Sequence, residues 1–238
     1  MFYNYLKIAL RNLAKQKFYS GINILGLTLG IACCLLIFLF VQHELSYDKF
    51  HAKGDRIFRV LRVDHVNGTL GKIPYTSGPY GPALAADYPD DVKATVRVMK
   101  ANSLLAYGDK SFNEDNLILV DSNFFQVFSF PLVKGNAAMA LTSPNTIVLS
   151  EEIAKKYFGS ETPVGKLMTV DKNGTYQVAG IMANVPANSH LKFDLITSIQ
   201  PLSQQEGFKV WRNNAMFTYV LLAGPVKKFR SEVSGLYG

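Results

Sequence analysis

The four histidines, His43, His51, His65 and His190, are far apart, and no two of them have the spacing of a metal-ligand pair. His43 is followed by a glutamate but not by a second histidine four residues on, so no zinc-protease helix is read. No serine sits in a strained Gly-x-Ser-x-Gly elbow, and no Ser-x-x-Lys pair opens a helix. The acidic pairs Asp90-Asp91, Glu114-Asp115 and Glu151-Glu152 are sequence neighbours and read as turn, loop and helix-cap residues. The stretch GSETPVGKL begins like a phosphate loop. It has five residues between its glycines where the loop has four, and Leu167 stands where a hydroxyl must hold magnesium. It reads as a helix stop followed by a turn into a strand. Asn67-Gly68-Thr69 and Asn173-Gly174-Thr175 have the form of glycosylation acceptors but read better as hairpin turns. The chain is therefore expected to hold no catalytic centre, no cofactor and no metal.

The elements that would position any function begin with an apolar run. Hydrophobic residues are 48% of the chain and charged residues 18%, and the apolar excess is concentrated near the N-terminus. Residues 22–42, INILGLTLGIACCLLIFLFVQ, carry no charge and at 1.5 Å per residue would span about 30 Å, the thickness of a bilayer core. Lys7, Arg11, Lys15 and Lys17 precede the run, and the first acids, Glu44 and Asp48, follow it. This bias places the N-terminus in the cytoplasm and the chain from about His43 onward outside. A cleaved signal peptide would have a shorter apolar region ending in small residues, whereas LLIFLFV follows the small ones here. Lipoprotein processing at Cys33 would want a leucine where Gly30 stands.

Residues 2–19 have apolar side chains at helical spacing, with the four basic residues available to the other face, as in a helix lying on the cytoplasmic leaflet. The alternative is a simple basic topology signal. Gly26 and Gly30 form a GxxxG pair, and Asn23 with Cys33 or Cys34 extends the small face, so the span is expected to pack against other helices. The adjacent cysteines lie inside the apolar run and cannot staple the domain beyond it. The net charge of +7 resides largely in the basic start, and no basic stripe with interleaved aromatics follows, so nucleic-acid binding is excluded.

Beyond the span the pattern predicts strands at 57–63, 92–100, 103–107, 117–120, 146–149, 167–170, 176–181, 191–198 and 216–222. Short helices are expected at 82–88 and within DSNFFQVFSFPLVKG, and a third is capped by Ser150 and ended by Gly159. Asp171-Lys172-Asn173-Gly174 predicts a hairpin. No internal repeat, low-complexity tract or linker is visible, and the ending GPVKKFRSEVSGLYG starts like a helix and stops, which reads as a truncation. The expected organisation is an interfacial helix at 1–20, a transmembrane helix at 21–43 and a mixed α/β domain at 44–238.

Three long segments carry a resemblance: YLKIALRNLAKQKFYSGINILGLTLGIA, ELSYDKFHAKGDRIFRV, and IVLSEEIAKKYFGSETPVGK with VAGIMANVPANSHLKFD. With them the chain resembles, over its whole length, permease subunits of MacB/FtsX-type ABC transporters, in the variety common in Bacteroidota. The resemblance implies an α+β chain in which one N-terminal transmembrane helix precedes a MacB-like periplasmic core, a porter-like region with a β-rich inserted lobe. It implies a bacterial inner-membrane location, a cytoplasmic ABC ATPase subunit as partner, a permease dimer and a periplasmic adaptor. ATP hydrolysis on the partner would move the periplasmic domain and a periplasmic or outer-leaflet cargo. Family permeases carry four or more membrane helices, so the chain is expected to be the N-terminal part of one. No catalytic residue is transferred, and Asn23, Gly26 and Gly30 are the expected contacts to further spans. A different reading is a single-pass anchored binding or sensor module, complete as it stands. An anchored hydrolase is disfavoured for want of a nucleophile or metal set.

Overall fold

The computed structural model describes residues 2–66, 69–172 and 174–224 and divides into two compact units, 1–47 and 48–238. In the first unit, α1 (Phe2–Lys15) carries Lys7, Arg11 and Lys15 at four-residue intervals, which aligns them on one face, with Tyr5, Leu6 and Leu13 opposite. The helical path breaks at Gln16, whose φ of −108° and ψ of 55° are not helical. Lys17 consequently opens α2 (Lys17–Leu45), and the stretch read as one amphipathic helix contains a break. The 29 residues of α2 extend about 43 Å, longer than a bilayer core. Among the described residues this is the one helix long and apolar enough to cross a membrane, and none of its residues is buried within the chain.

In the second unit the strand expected at 57–63 is two strands. β1 (Ile57–Arg59) pairs with the main sheet, and β2 (Arg62–Val66) pairs only with β3 (Thr69–Ile73) in a separate hairpin. The Asn67-Gly68 turn lies outside the described residues. Helix α3 (Tyr80–Asp87) starts two residues earlier than read, with Pro79 as its N-cap residue and Pro82 within its first turn, where a missing N–H costs nothing. The strands expected at 92–100 and 103–107 are one, β4 (Val92–Tyr107), whose register slips between Ala101 and Ser103. Its partner β5 (Lys110–Val120) begins seven residues before the predicted 117, in a polar stretch whose exposed face gives no hydrophobic signal. Helix α4 (Phe124–Val127) is the single turn expected, and the unexpected β6 (Leu132–Gly135) follows it. Next come β7 (Thr146–Ser150), α5 (Glu151–Phe158), β8 (Leu167–Val170) and β9 (Gly174–Met182). β10 (Leu195–Ser198) occupies only the end of the expected 191–198, and α6 (Gln200–Ser203) and β11 (Phe217–Leu222) complete the unit.

The nine-stranded sheet runs β1-β11-β4-β5-β10-β7-β9-β6, with β8 pairing both β4 and β9. The β5–β10 and β7–β9 contacts are parallel and the other pairs antiparallel. Because β8 bridges β9 back to β4, the strands β4-β5-β10-β7-β9-β8 close into a ring. Alternate residues then face opposite ways. Leu117, Ile147, Leu149, Leu195 and Val178 pack inside the ring. Ile118, Val148 and Ile196 face out onto an aromatic layer of Phe124, Phe128, Phe130 and Phe193. Burial on both faces is why β7 reads as an uninterrupted apolar run, not an alternation. Helix α5 plugs one end of the ring with Ile153, Tyr157 and Phe158.

Candidate functional site

Two features stand out: the face of α2 and the first residues of the outer unit. On α2, Asn23, Gly26 and Gly30 fall within about one sixth of the helix circumference at roughly 100° per residue. A methyl group built on Gly26 or Gly30 would meet nothing within 4 Å, so the described chain does not cover this face. Asn23 borders a cleft of about 490 Å³ between α1 and α2, where Asn12, Gln16 and Ser20 also lie. Its polar wall is lined by neutral amides and a hydroxyl, groups that can bond to another helix. Lys7, Arg11 and Lys15 share a face of α1, whereas Lys17 belongs to α2.

The outer unit begins at Asp48, in the left-handed region at φ 58°, a conformation aspartate tolerates better than most residues. Its backbone N–H donates to the Asn188 carbonyl at 2.9 Å, and its carboxylate accepts from the His190 N–H at 3.0 Å. The second carboxylate oxygen lies 2.7 Å from His190 Nδ1. An ionised carboxylate only accepts, so Nδ1 carries a proton, and Nε2 lies 2.9 Å from the Tyr219 hydroxyl, within hydrogen-bonding distance. Burial raises the Asp48 pKa, but the two hydrogen bonds from His190, together with the electrostatic influence of His190 and His51, outweigh it and hold the carboxyl below its usual value. Burial likewise pushes Tyr219 up to about 12, so it remains a hydroxyl donor.

His51, 6% exposed, sits against Phe50, Phe128 and Phe130 with ring centroids 4.1, 5.3 and 5.0 Å away. Its Nδ1 accepts from the Ser129 N–H at 3.1 Å, while the Ser129 hydroxyl accepts from the Ala52 N–H at 2.9 Å. Burial is the main cause that lowers the His51 pKa, so the ring is held neutral. Residues 48–52 are thus fixed to the core at both ends, and His190 ties them to β11. Since Ile57 at the start of β1 pairs with Leu221 near the end of β11, the first and last strands of the sheet run side by side.

Sequence spacing did not reveal this junction, because Asp48 and His190 are 142 residues apart. Its one local signal was the aromatic and histidine density of YDKFH and FSF. Among the described residues, no three His, Cys, Asp or Glu side chains could hold a metal together. The near-phosphate loop is structural. Gly159 ends α5 at φ 62°, Gly165 turns at φ 89° and donates to the Val178 carbonyl, and Lys166 is paired with Glu161 at 2.9 Å. In the second hairpin Asp171 and Lys172 take the positive φ values, 50° and 65°. Asn173, expected in that turn, lies outside the described residues.

Residues 20–232 match the family of MacB-like periplasmic core domains. A macrolide export ATP-binding/permease protein, MacB, of Wolinella succinogenes is 24% identical over 189 residues, 77% of this chain and 29% of that protein, so the chain spans under a third of its relative. A domain assigned to a permease protein of Porphyromonas gingivalis has the same fold, with a TM-score of 0.63, 22% identity, and 74% and 76% of the two chains covered. The periplasmic region of MacB from Actinobacillus actinomycetemcomitans is similar at a TM-score of 0.50 and 19% identity, with 68% and 72% covered. The apolar helix followed by this α/β unit therefore belongs to the MacB-like periplasmic core domain family.

Proposed function

We propose that this chain supplies a membrane helix and the periplasmic domain of an inner-membrane ABC transporter permease. Its N-terminus lies in the cytoplasm, as the basic residues before α2 and the acids after it favour. ATP hydrolysis takes place on an ABC ATPase partner, a reading that the MacB-like family supports. The chain itself does no catalysis. It converts movement of its membrane helix into movement of the outer domain, and so displaces a periplasmic or outer-leaflet cargo, with a second permease copy and a periplasmic adaptor as further partners.

The observation that carries this reading is the shortness and fixity of the connection. Only Ser46 and Tyr47 separate the end of α2 from Asp48, which is already bonded to the core. Three peptide steps reach at most about 10 Å, so a larger displacement of the helix end must be passed to the domain. A binding or sensor module with no moving part would not need this.

The test inserts a flexible Gly-Ser segment of about six residues, roughly 20 Å extended, between Tyr47 and Asp48. Spin labels on the outer domains of the two permease copies would report distance changes between ATP-bound and ADP-bound complexes containing the partner ATPase. The wild-type distances should change with nucleotide and the insertion should abolish that change while ATP hydrolysis continues. Wild-type distances indifferent to nucleotide would refute the proposal.

A further inference from the structure

The closed ring of strands is plugged by α5 at one end only. At the other end, beside α6, the ring opens into a cavity of about 270 Å³. Mouths of small barrels are a recurrent place for ligands, because strand ends supply a rigid rim and the interior supplies apolar surface. Here Leu117, Leu119, Ile147 and Val170 provide apolar walls, and Leu202 of α6 lies across the opening. The cavity's lining holds one charged group, the carboxylate of Asp171.

That carboxylate is held in place. Asp171 occupies the left-handed turn between β8 and β9, and its two oxygens accept from the Ser103 hydroxyl at 2.7 Å and the Leu104 N–H at 3.0 Å. Each oxygen keeps a second acceptor position. Two of the donors around it are already used, since Ser103 donates to Asp171 and the Thr197 hydroxyl donates to the Thr146 carbonyl at 2.7 Å, and Asn102, Tyr176 and Ser198 add only neutral polar groups to the lining. What the mouth lacks is a hydrogen-bond donor with positive charge.

We propose that this mouth is a binding site for a small apolar molecule bearing one protonated amine, the amine on Asp171 and the apolar body inside the ring. The volume is at the low end for ligand pockets and admits a single-ring compound, not a large macrocycle. An anionic ligand would place like charge beside Asp171, and a neutral donor would bond its carboxylate less strongly than a charged one.

The test uses 4-phenylbutylamine as probe, with 4-phenylbutanol and 4-phenylbutyrate as isosteres, on the full chain in detergent micelles. The protein is labelled with 3-fluorotyrosine, and the resonance of Tyr176, which lines the cavity, is assigned by Tyr176→Phe. The amine should shift this resonance saturably and bind about threefold tighter than the alcohol, since Asp171 is exposed and water screens the pair, with the acid weakest. Asp171→Asn, which keeps an acceptor and tolerates the turn, should erase the preference for the amine. Ala101→Ile, on the strand that lines the mouth, should fill the space and remove the response to both amine and alcohol. Partitioning into micelles is the same for every variant, so the differences report the site. Equal affinity for amine and alcohol, an unaltered response in Ala101→Ile with the fold intact, or no saturable shift would each overturn the proposal.

Discussion

Replacing His190 by alanine tests the junction most directly. It removes a ring N–H from the Asp48 carboxylate and the ring nitrogen hydrogen-bonded to the Tyr219 hydroxyl. A hydrogen bond to a charged group is worth about 1.5–3 kcal/mol net, and a neutral one about 1 kcal/mol. The two side chains of the pair are 33% and 31% exposed, so water replaces part of the first contribution. Tyr219 is 3% exposed, so its hydroxyl loses the ring partner inside the core. The expected loss is therefore about 2 kcal/mol, and the Asp48–His190 coupling in a double-mutant cycle with Asp48→Asn about 1 kcal/mol. Asparagine keeps the left-handed backbone and the acceptor for the His190 N–H, which isolates the charge. The chain has one tryptophan, Trp211, in the outer unit, so its fluorescence during urea unfolding in micelles reports that unit alone. The sign with pH follows from the lowered Asp48 pKa. The stabilisation is complete above the unfolded value of about 3.9 and is lost as pH falls through the native value below it. Asp48→Asn should flatten that acid limb. A coupling below about 0.3 kcal/mol would show that the pair behaves as an ordinary surface contact and would refute the argument for a fixed junction.

His51 offers a second pH dependence, at higher pH. Its native pKa lies below the unfolded value of about 6.5, so stability is complete above that value and falls as pH drops through the window beneath it. His51→Gln, which keeps an acceptor for the Ser129 N–H, should remove this slope in melting scans between about pH 6.5 and 5. Gly26→Leu with Gly30→Leu should leave membrane insertion intact and impair assembly of the proposed complex, because leucine prevents close approach of a neighbouring backbone. Unchanged assembly would return the pair to chance. Ser150→Ala removes the hydroxyl that accepts from the Ile153 N–H at 3.3 Å and should cost about 1 kcal/mol in urea unfolding.

What was legible in the sequence was whatever is decided locally. The apolar run of α2 needed no partner to be read, and the Ser150 cap with Glu151, Glu152 and Gly159 marked both ends of α5. The β8–β9 hairpin was visible because its turn chemistry sits between two short apolar strands. Features decided by distant residues were not legible. The stretch 57–63 has one continuous strand-like pattern, yet Val60 and Leu61 break it, because β1 pairs with β11 while β2 pairs with β3. The polar first half of β5 owes its strand geometry to β4, which supplies its backbone partners and demands no apolar alternation. Ring closure depends on two residue pairs, Leu105 with Val170 and Ala106 with Thr169, and no pattern within either strand announces them. The same holds for the site residues. Asp48 and His190 look like ordinary surface residues until the fold brings them together, and Asp171 reads as a turn aspartate. The residues at the junction and at the mouth of the ring are gathered by the fold, so a reading confined to linear motifs passes over both.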